Sequence, residues 1–201
     1  MTRSRALVLV PAALAALLVG GCAAGGSSSA GQAAGTTAAS PSEHSPPGDI
    51  PDNQVYVPYS PADGSFTVTV PEGWARTDVA SGVSFTDKLN TVTVVELTGR
   101  PEPNQDTVLG GVMTDRATTG PNVTLGPVET LTLPAGTAVH GSYSADSAPD
   151  PVTGKVTRDD VELYVFWHNG TEVQLTLSGP HGADDVDAWR TVSTSFAWNR
   201  A

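Results

Sequence analysis

Among the 201 residues, the side chains best suited to covalent or metal chemistry are one cysteine, Cys22, and four histidines, His44, His140, His168 and His181. A cysteine thiolate is a nucleophile and a metal ligand. A zinc site needs several His, Cys or carboxylate ligands converging on one point. No His-x-His or His-Glu pair occurs, and no sulfur ligand follows Cys22. Asp146, Asp150, Asp159, Asp160 and Glu162 offer carboxylate oxygens of the kind calcium prefers, but without EF-hand spacing. They read as a solvated acidic loop. A serine hydrolase of the Gly-x-Ser-x-Gly type is excluded, because Gly141-Ser142 and Gly82-Val83-Ser84 lack the second glycine. There is no P-loop and no Gly-x-Gly-x-x-Gly, so no nucleotide cofactor is expected. Spatially paired carboxylates for glycoside hydrolysis are not legible in a sequence. Asn122-Val123-Thr124 and Asn169-Gly170-Thr171 match a glycosylation sequon, but Asn169 is better explained by a turn. No catalytic residue and no metal site is expected.

Cys22 gains meaning from what precedes it. Arg3 and Arg5 form a positive start, and Ala6 to Val19 an apolar run interrupted by Pro11. Gly20 and Gly21 are small residues at a cleavage position. That order is a secretory signal, too short for a spanning helix of about 20 apolar residues. Val19-Gly20-Gly21-Cys22 resembles the lipobox of bacterial lipoproteins, with Gly20 a less usual middle residue. The resemblance implies cleavage before Cys22, a diacylglyceryl thioether on its sulfur, and often an acyl chain (a palmitate, for example) on the new amine. Two or more chains make a stable anchor, at roughly 0.8 kcal/mol per buried CH₂. The expected location is therefore the outer face of the cell membrane, by way of lipid on Cys22.

The organisation expected is a signal over residues 1–21, a tether over 22–54 and one globular domain over 55–201. The tether is Ala, Gly, Ser, Thr and Pro with almost no large apolar side chain, and cannot offset the entropy of ordering. About 30 such residues reach roughly 30 Å. The formal charge is −11, and removal of residues 1–21, with Arg3 and Arg5 and no acid, takes it to −13. That excludes nucleic acid as a partner, since such binding rests on cations meeting phosphates. With no second cysteine, the domain has no disulfide and is held by its core.

Within the domain, Ser65–Val70, Gly82–Thr86, Asn90–Leu97, Val123–Leu125, Glu129–Leu133 and Thr137–Tyr143 read as strands. Tyr56 to Pro61 is an extended lead-in, and Trp74 opens a further extended piece. Asp106 to Ala117 changes period and places Val108, Leu109, Val112, Met113 and Arg116 on one helical face, capped by Asn104 or Asp106. Ser144 to Arg158 holds Pro149, Pro151 and Gly154 and reads as a mobile loop or wide hairpin. Val161–His168 and Thr171–Leu177 flank Asn169-Gly170, a type I′ turn signal. Gly179 to Gly182 breaks the sheet, and a last helix follows from Asp184, with Val186, Trp189, Val192 and Phe196 as its buried stripe. The fold class expected is α+β, an antiparallel sheet flanked by helices. Its core should include Phe66, Val68, Trp74, Val92, Val94, Leu163, Val165, Val173, Leu175, Trp189 and Phe196.

Phe66-Thr67-Val68, Val70-Pro71-Glu72-Gly73-Trp74, Leu175 to Pro180, Gly182-Ala183-Asp184, Trp189-Arg190-Thr191-Val192, Ser195-Phe196 and Trp198 resemble the LpqN-type actinobacterial lipoproteins, which have a PsbP-like fold. The resemblance implies a compact sandwich acting without catalysis, as a binding or accessory module of the cell envelope. An envelope protein or glycolipid is the expected partner, and a monomer the expected state. It transfers no catalytic residues. The alternatives are a lipid or small-molecule carrier, which needs a cavity between sheet and helices, and a minor envelope hydrolase, which needs convergent polar groups. The Ser144–Arg158 loop with the Tyr56–Tyr59 lead-in is the expected binding surface.

Overall fold

Alternating Thr and Val in Asn90–Thr98 cannot bury both faces of a strand, and this sets the architecture. In the computed structural model, which describes residues 48–199, a long antiparallel sheet is covered over a different half on each side. The strands are β1 (Tyr56–Tyr59), β2 (Phe66–Pro71), β3 (Ala75–Val79), β4 (Gly82–Asp87), β5 (Asn90–Thr98), β6 (Thr124–Leu133), β7 (Gly136–Asp146), β8 (Arg158–His168), β9 (Thr171–Pro180) and β10 (Ala197–Trp198). Seven of them pair in the order β3-β4-β5-β9-β8-β7-β6, and β1-β2-β10 form a smaller sheet. The expected α+β class with an antiparallel sheet is what the chain adopts.

One face of the long sheet carries Val92, Val94, Val173, Leu175, Leu177 and Phe166. It is covered by the small sheet and by α3 (Val186–Thr194), which contributes Trp189 and Val192. The opposite face is covered only over β6, β7 and β8. There Val139, Leu163 and Val165 meet Val108 and Met113 from the helical segment 105–119. Each uncovered half is polar, as the period of two demands. On the second face, Ser84 meets Thr93 and Thr86 meets Thr91 through side-chain hydrogen bonds of 3.0 and 3.3 Å.

The helical segment is α1 (Gln105–Val108), a π-helical turn (Leu109–Met113) and α2 (Thr114–Thr119), with Asn104 as N-cap in a capping box with Thr107. The π turn corrects the expected apolar face. A π turn sets residues five apart in line, so Val108 and Met113 are buried while Leu109 is 42 % exposed. Gly110-Gly111 permits it, and Gly111 leaves helical geometry at φ −100°, ψ −105°.

Other expectations change in detail. The two short strands expected over 123–133 are one strand, β6, broken in register between Leu125 and Val128, where Gly126-Pro127 forms a bulge. Val186 is 61 % exposed at the first turn of α3 and does not join the buried stripe, whereas Trp189, Val192 and Phe196 do. Trp74 is half-buried, with its ring set edge-on to Trp189 at 6.5 Å. Asn169 (φ 48°) and Gly170 (φ 83°) form the left-handed turn expected between β8 and β9.

The sequence places the end of the tether at residue 54, yet Ile50 is buried in the main core. Its N–H donates to Asp185 Oδ1 at 2.8 Å, and Asn90 Nδ2 donates to the carbonyl of Gly48. Packing therefore starts at least as early as Gly48, because Ile50 is the one large apolar residue in its neighbourhood and has a place to go. Cys22, His44 and residues 22–47 of the expected tether lie outside the described residues.

Candidate functional site

The half of the sheet that α3 leaves open is formed by β6, β7 and β8. Register decides which side chains share it. Glu129 lies opposite His140, His140 opposite Tyr164, Ser142 opposite Glu162, Ser144 opposite Asp160 and Asp146 opposite Arg158. All of these point to the face of Phe166 and Leu175; Tyr164 reaches Ser193 of α3, and Asp160 and Glu162 border the cavity beside Val186 and Trp189 of that helix. A cavity of about 330 Å³ lies at the β6 bulge, lined by Gly126, Ser142, Ser144, Asp160 and Glu162 among others. A second, of about 130 Å³, runs under α3 past Gly179, Asp185 and Trp189. Asp160 and Glu162 line both.

His140 is the centre of this strip. Its Nε2 makes a short hydrogen bond to Glu162 Oε2, and its Nδ1 lies 3.3 Å from Glu129 Oε1. Two carboxylates on two ring nitrogens call for the imidazolium, the only form in which both nitrogens donate. Burial of the ring works against that charge, but the Glu162 bond and charge, then those of Glu129, outweigh it and raise the pKa. The ring also lies 4.7 Å from that of Tyr164. Burial raises the Tyr164 phenol. At the far end, Arg158 donates to Ser144 Oγ (2.6 Å), Thr124 Oγ1 (3.1 Å), Asp146 Oδ1 (3.2 Å) and the carbonyl of Asn122. His181 Nδ1 meets Asp160 Oδ2 at 2.8 Å.

Most of the acidic residues are held one by one, whereas Asp159 lies close enough to Asp160 and Asp146 for their charges to act on it. Asp146 holds Arg158, Asp160 holds His181 and Glu162 holds His140. Asp150 accepts from the N–H groups of Val152 (3.1 Å) and Thr153 (2.6 Å) and from the Thr153 hydroxyl (2.8 Å). Among the described residues, no three His, Cys, Asp or Glu groups converge on a metal position. Ser144 accepts from a cation and is not paired with a base. The strip presents hydrogen-bond acceptors and fixed charges, with no nucleophile poised beside a general base.

The loop between β7 and β8 is shorter and better tied than the sequence suggests. Ser147 N donates to the carbonyl of Thr157, Asp150 N to that of Lys155 and Gly154 N to that of Asp150. It is a hairpin with a turn closed by Asp150, and Val152 at its tip is 90 % exposed. Tyr56 and Tyr59, expected beside it, pack instead against the main core, with Tyr59 set edge-on to Phe85 at 5.5 Å. His168 lies at the opposite end of β8, its ring 5.6 Å from that of Trp198. The His140 bridge is not legible in the sequence, because its three residues are 11 and 22 positions apart. Alternation with the hairpin registers was the one signal able to align them.

No protein-family model matches the chain, and no curated protein matches it. Solved structures do. Cyanobacterial PsbP from Synechocystis is 18 % identical over 75 % of this chain and 98 % of its own, with a TM-score of 0.51. The Saccharomyces cerevisiae Ran-binding protein Mog1p is 11 % identical over 72 % of this chain and 96 % of its own, with a TM-score of 0.50. LpqN of Mycobacterium tuberculosis, involved in cell envelope biogenesis, is 17 % identical over 73 % of this chain and 91 % of its own, at a TM-score of 0.42. The domain of residues 48–199 thus has the PsbP/Mog1-like α+β sandwich fold.

Proposed function

We propose that this chain is a lipid-anchored protein of the cell envelope whose one domain acts by binding and not by catalysis. The observation that carries the reading is the open polar strip of β6–β8, flanked by the tied hairpin with its exposed Val152. Its histidines are held by carboxylates and its Ser144 by Arg158, which suits a recognition surface. The outward acceptors Asp160 and Glu162 fit a partner rich in hydroxyl or ammonium donors, such as an envelope glycolipid headgroup or an envelope protein. A carrier would need a large hollow between sheet and helices, whereas the cavity under α3 is about 130 Å³ and aromatic rings pack the layer beside it. Phe166 and Phe196 stack at 4.0 Å, and Phe66 and Phe196 at 5.3 Å. The anchor rests on Val19 to Cys22, and a tether makes each encounter near the membrane intramolecular.

The test is made with the full chain in intact cells. A photocrosslinking side chain at Ser142 or Val152 is expected to capture one envelope component, and deletion of Ala148 to Lys155 to abolish that capture. Cys22→Ser is expected to leave uncleaved precursor and move the protein out of the membrane fraction. Unchanged processing and membrane retention would remove the anchor from the reading. Turnover of an envelope substrate, stopped by one polar substitution that leaves the fold intact, would replace binding with catalysis.

A further inference from the structure

On the opposite face of the sheet, a cavity of about 80 Å³ lies between the π turn and the start of β9. Glu172 is in its wall and is only 6 % exposed. Burying a carboxylate is costly unless its oxygens are met. Oε1 accepts from Gln174 Nε2 at 2.7 Å. Oε2 has only Arg100 Nε at 4.0 Å, beyond hydrogen-bond length, from a side chain that is itself half exposed. Since Gln174 donates through its nitrogen, its own carbonyl oxygen is left as a second acceptor. The remaining wall includes Pro101, Pro103, Val108, Val112 and Val165, all apolar.

Two features make this a built pocket. Its outer lip is fixed, because Arg100 N donates to the carbonyl of Gly170 (2.9 Å) and Trp167 Nε1 to the carbonyl of Arg100 (2.8 Å). Its other side is the irregular turn of the helical segment, where Gly111 lines the cavity and a Cβ built on it would meet nothing within 4 Å beyond its chain neighbours and the helix's own backbone. A π turn with an open glycine flank beside a buried charge is the kind of irregularity that accompanies ligand sites.

We infer that this pocket binds the alkylammonium end of an amine ligand, its nitrogen on Glu172 and its methylenes between the prolines and valines. The cavity is small, about 80 Å³, and its apolar wall suits a short alkyl chain that ends in an ammonium group. The carboxylates of Glu172 and Glu102 reject anions. A free amine and a lysine side chain of a peptide share this chemistry.

The experiment titrates the full chain, in detergent, with n-butylamine, with acetyl-lysine methylamide and with 1-butanol, following the amide resonances of Gly110, Gly111 and the Gln174 side chain. Saturable shifts at these groups with the cation, and none with butanol, are expected. Acetyl-lysine methylamide binding more tightly than butylamine assigns the pocket to a lysyl side chain, and the reverse assigns it to a free amine. Glu172→Gln, which keeps shape and removes charge, should weaken the cation by about tenfold or more. Gly111→Leu, which fills the mouth, should abolish binding, and Arg100→Gln, which removes a competing cation, should strengthen it. Equal shifts with butanol, no saturation with either amine, or undiminished binding in a folded Glu172→Gln would overturn the assignment. These readouts are independent of capture at the β6–β8 strip.

Discussion

His140 of β7 and Glu162 of β8 are joined side chain to side chain across the sheet, and Glu129 of β6 meets the other nitrogen of the same ring, so one imidazole ties three strands. The carboxylates raise the His140 pKa against the opposing effect of burial. A raised folded pKa contributes stability that is full below the unfolded value of about 6.5 and is lost as pH rises through the folded value. The urea midpoint should therefore fall as pH rises above the unfolded value of about 6.5. His140→Gln should flatten that slope. An unchanged slope in the variant would show that the bridge carries no coupled charge.

Asp159 points the other way in cost. Burial first, then the charges of Asp160 and Asp146, push its pKa from 3.8 to about 6. Its protonated form is favoured in the fold, so this contribution is full below about pH 4 and lost as pH rises to about 6. Asp159→Asn should stabilise the protein at neutral pH. The unscreened shift would amount to about 3 kcal/mol, but the side chain is part-exposed, so roughly 1 kcal/mol is expected. Chemical denaturation at neutral and acid pH measures it. A gain that persists undiminished at acid pH would contradict this origin.

Ile50 shows whether the segment from Gly48 belongs to the fold. It is 7 % exposed, and its N–H is held by Asp185, itself buried. Ile50→Ala should cost about 2–4 kcal/mol. Val55→Ala, at a site 56 % exposed, should cost under about 0.5 kcal/mol. Equal, small effects would return residues 48–54 to the tether.

Trp189 is the anchor of α3. At 9 % exposure, and edge-on to Trp74, it fills the space over Gly179. Trp189→Ala should cost about 3–5 kcal/mol. A loss below about 1 kcal/mol would show that α3 contributes little to the core.

Period two in Phe66–Val70, Gly82–Thr86, Asn90–Leu97 and Val161–Leu177 is enough to specify those strands, the β8–β9 turn at Asn169-Gly170 and the part of the core formed by Phe66, Val68, Val92, Val94, Leu163, Val165, Val173 and Leu175. Those signals are local, because alternation and turn chemistry act within a few residues. The proposed signal and lipid site at Cys22 likewise rest on local order along the chain. What the sequence could not determine depends on pairs distant along it. Residues 48–54 look like tether by composition, and only the pocket beside Asp185 turns Ile50 into core. Leu109 and Val186 fit a helical stripe, but a π turn and the first-turn position of α3 set them outside. The His140 bridge and the Glu172 pocket need the registers of β6 on β7, β7 on β8 and β8 on β9, together with the choice of which half of each sheet face a helix covers. Long-range packing makes that choice, since one strand pattern is compatible with several neighbours and the burial of Phe166, Phe196 and Trp189 together selects among them.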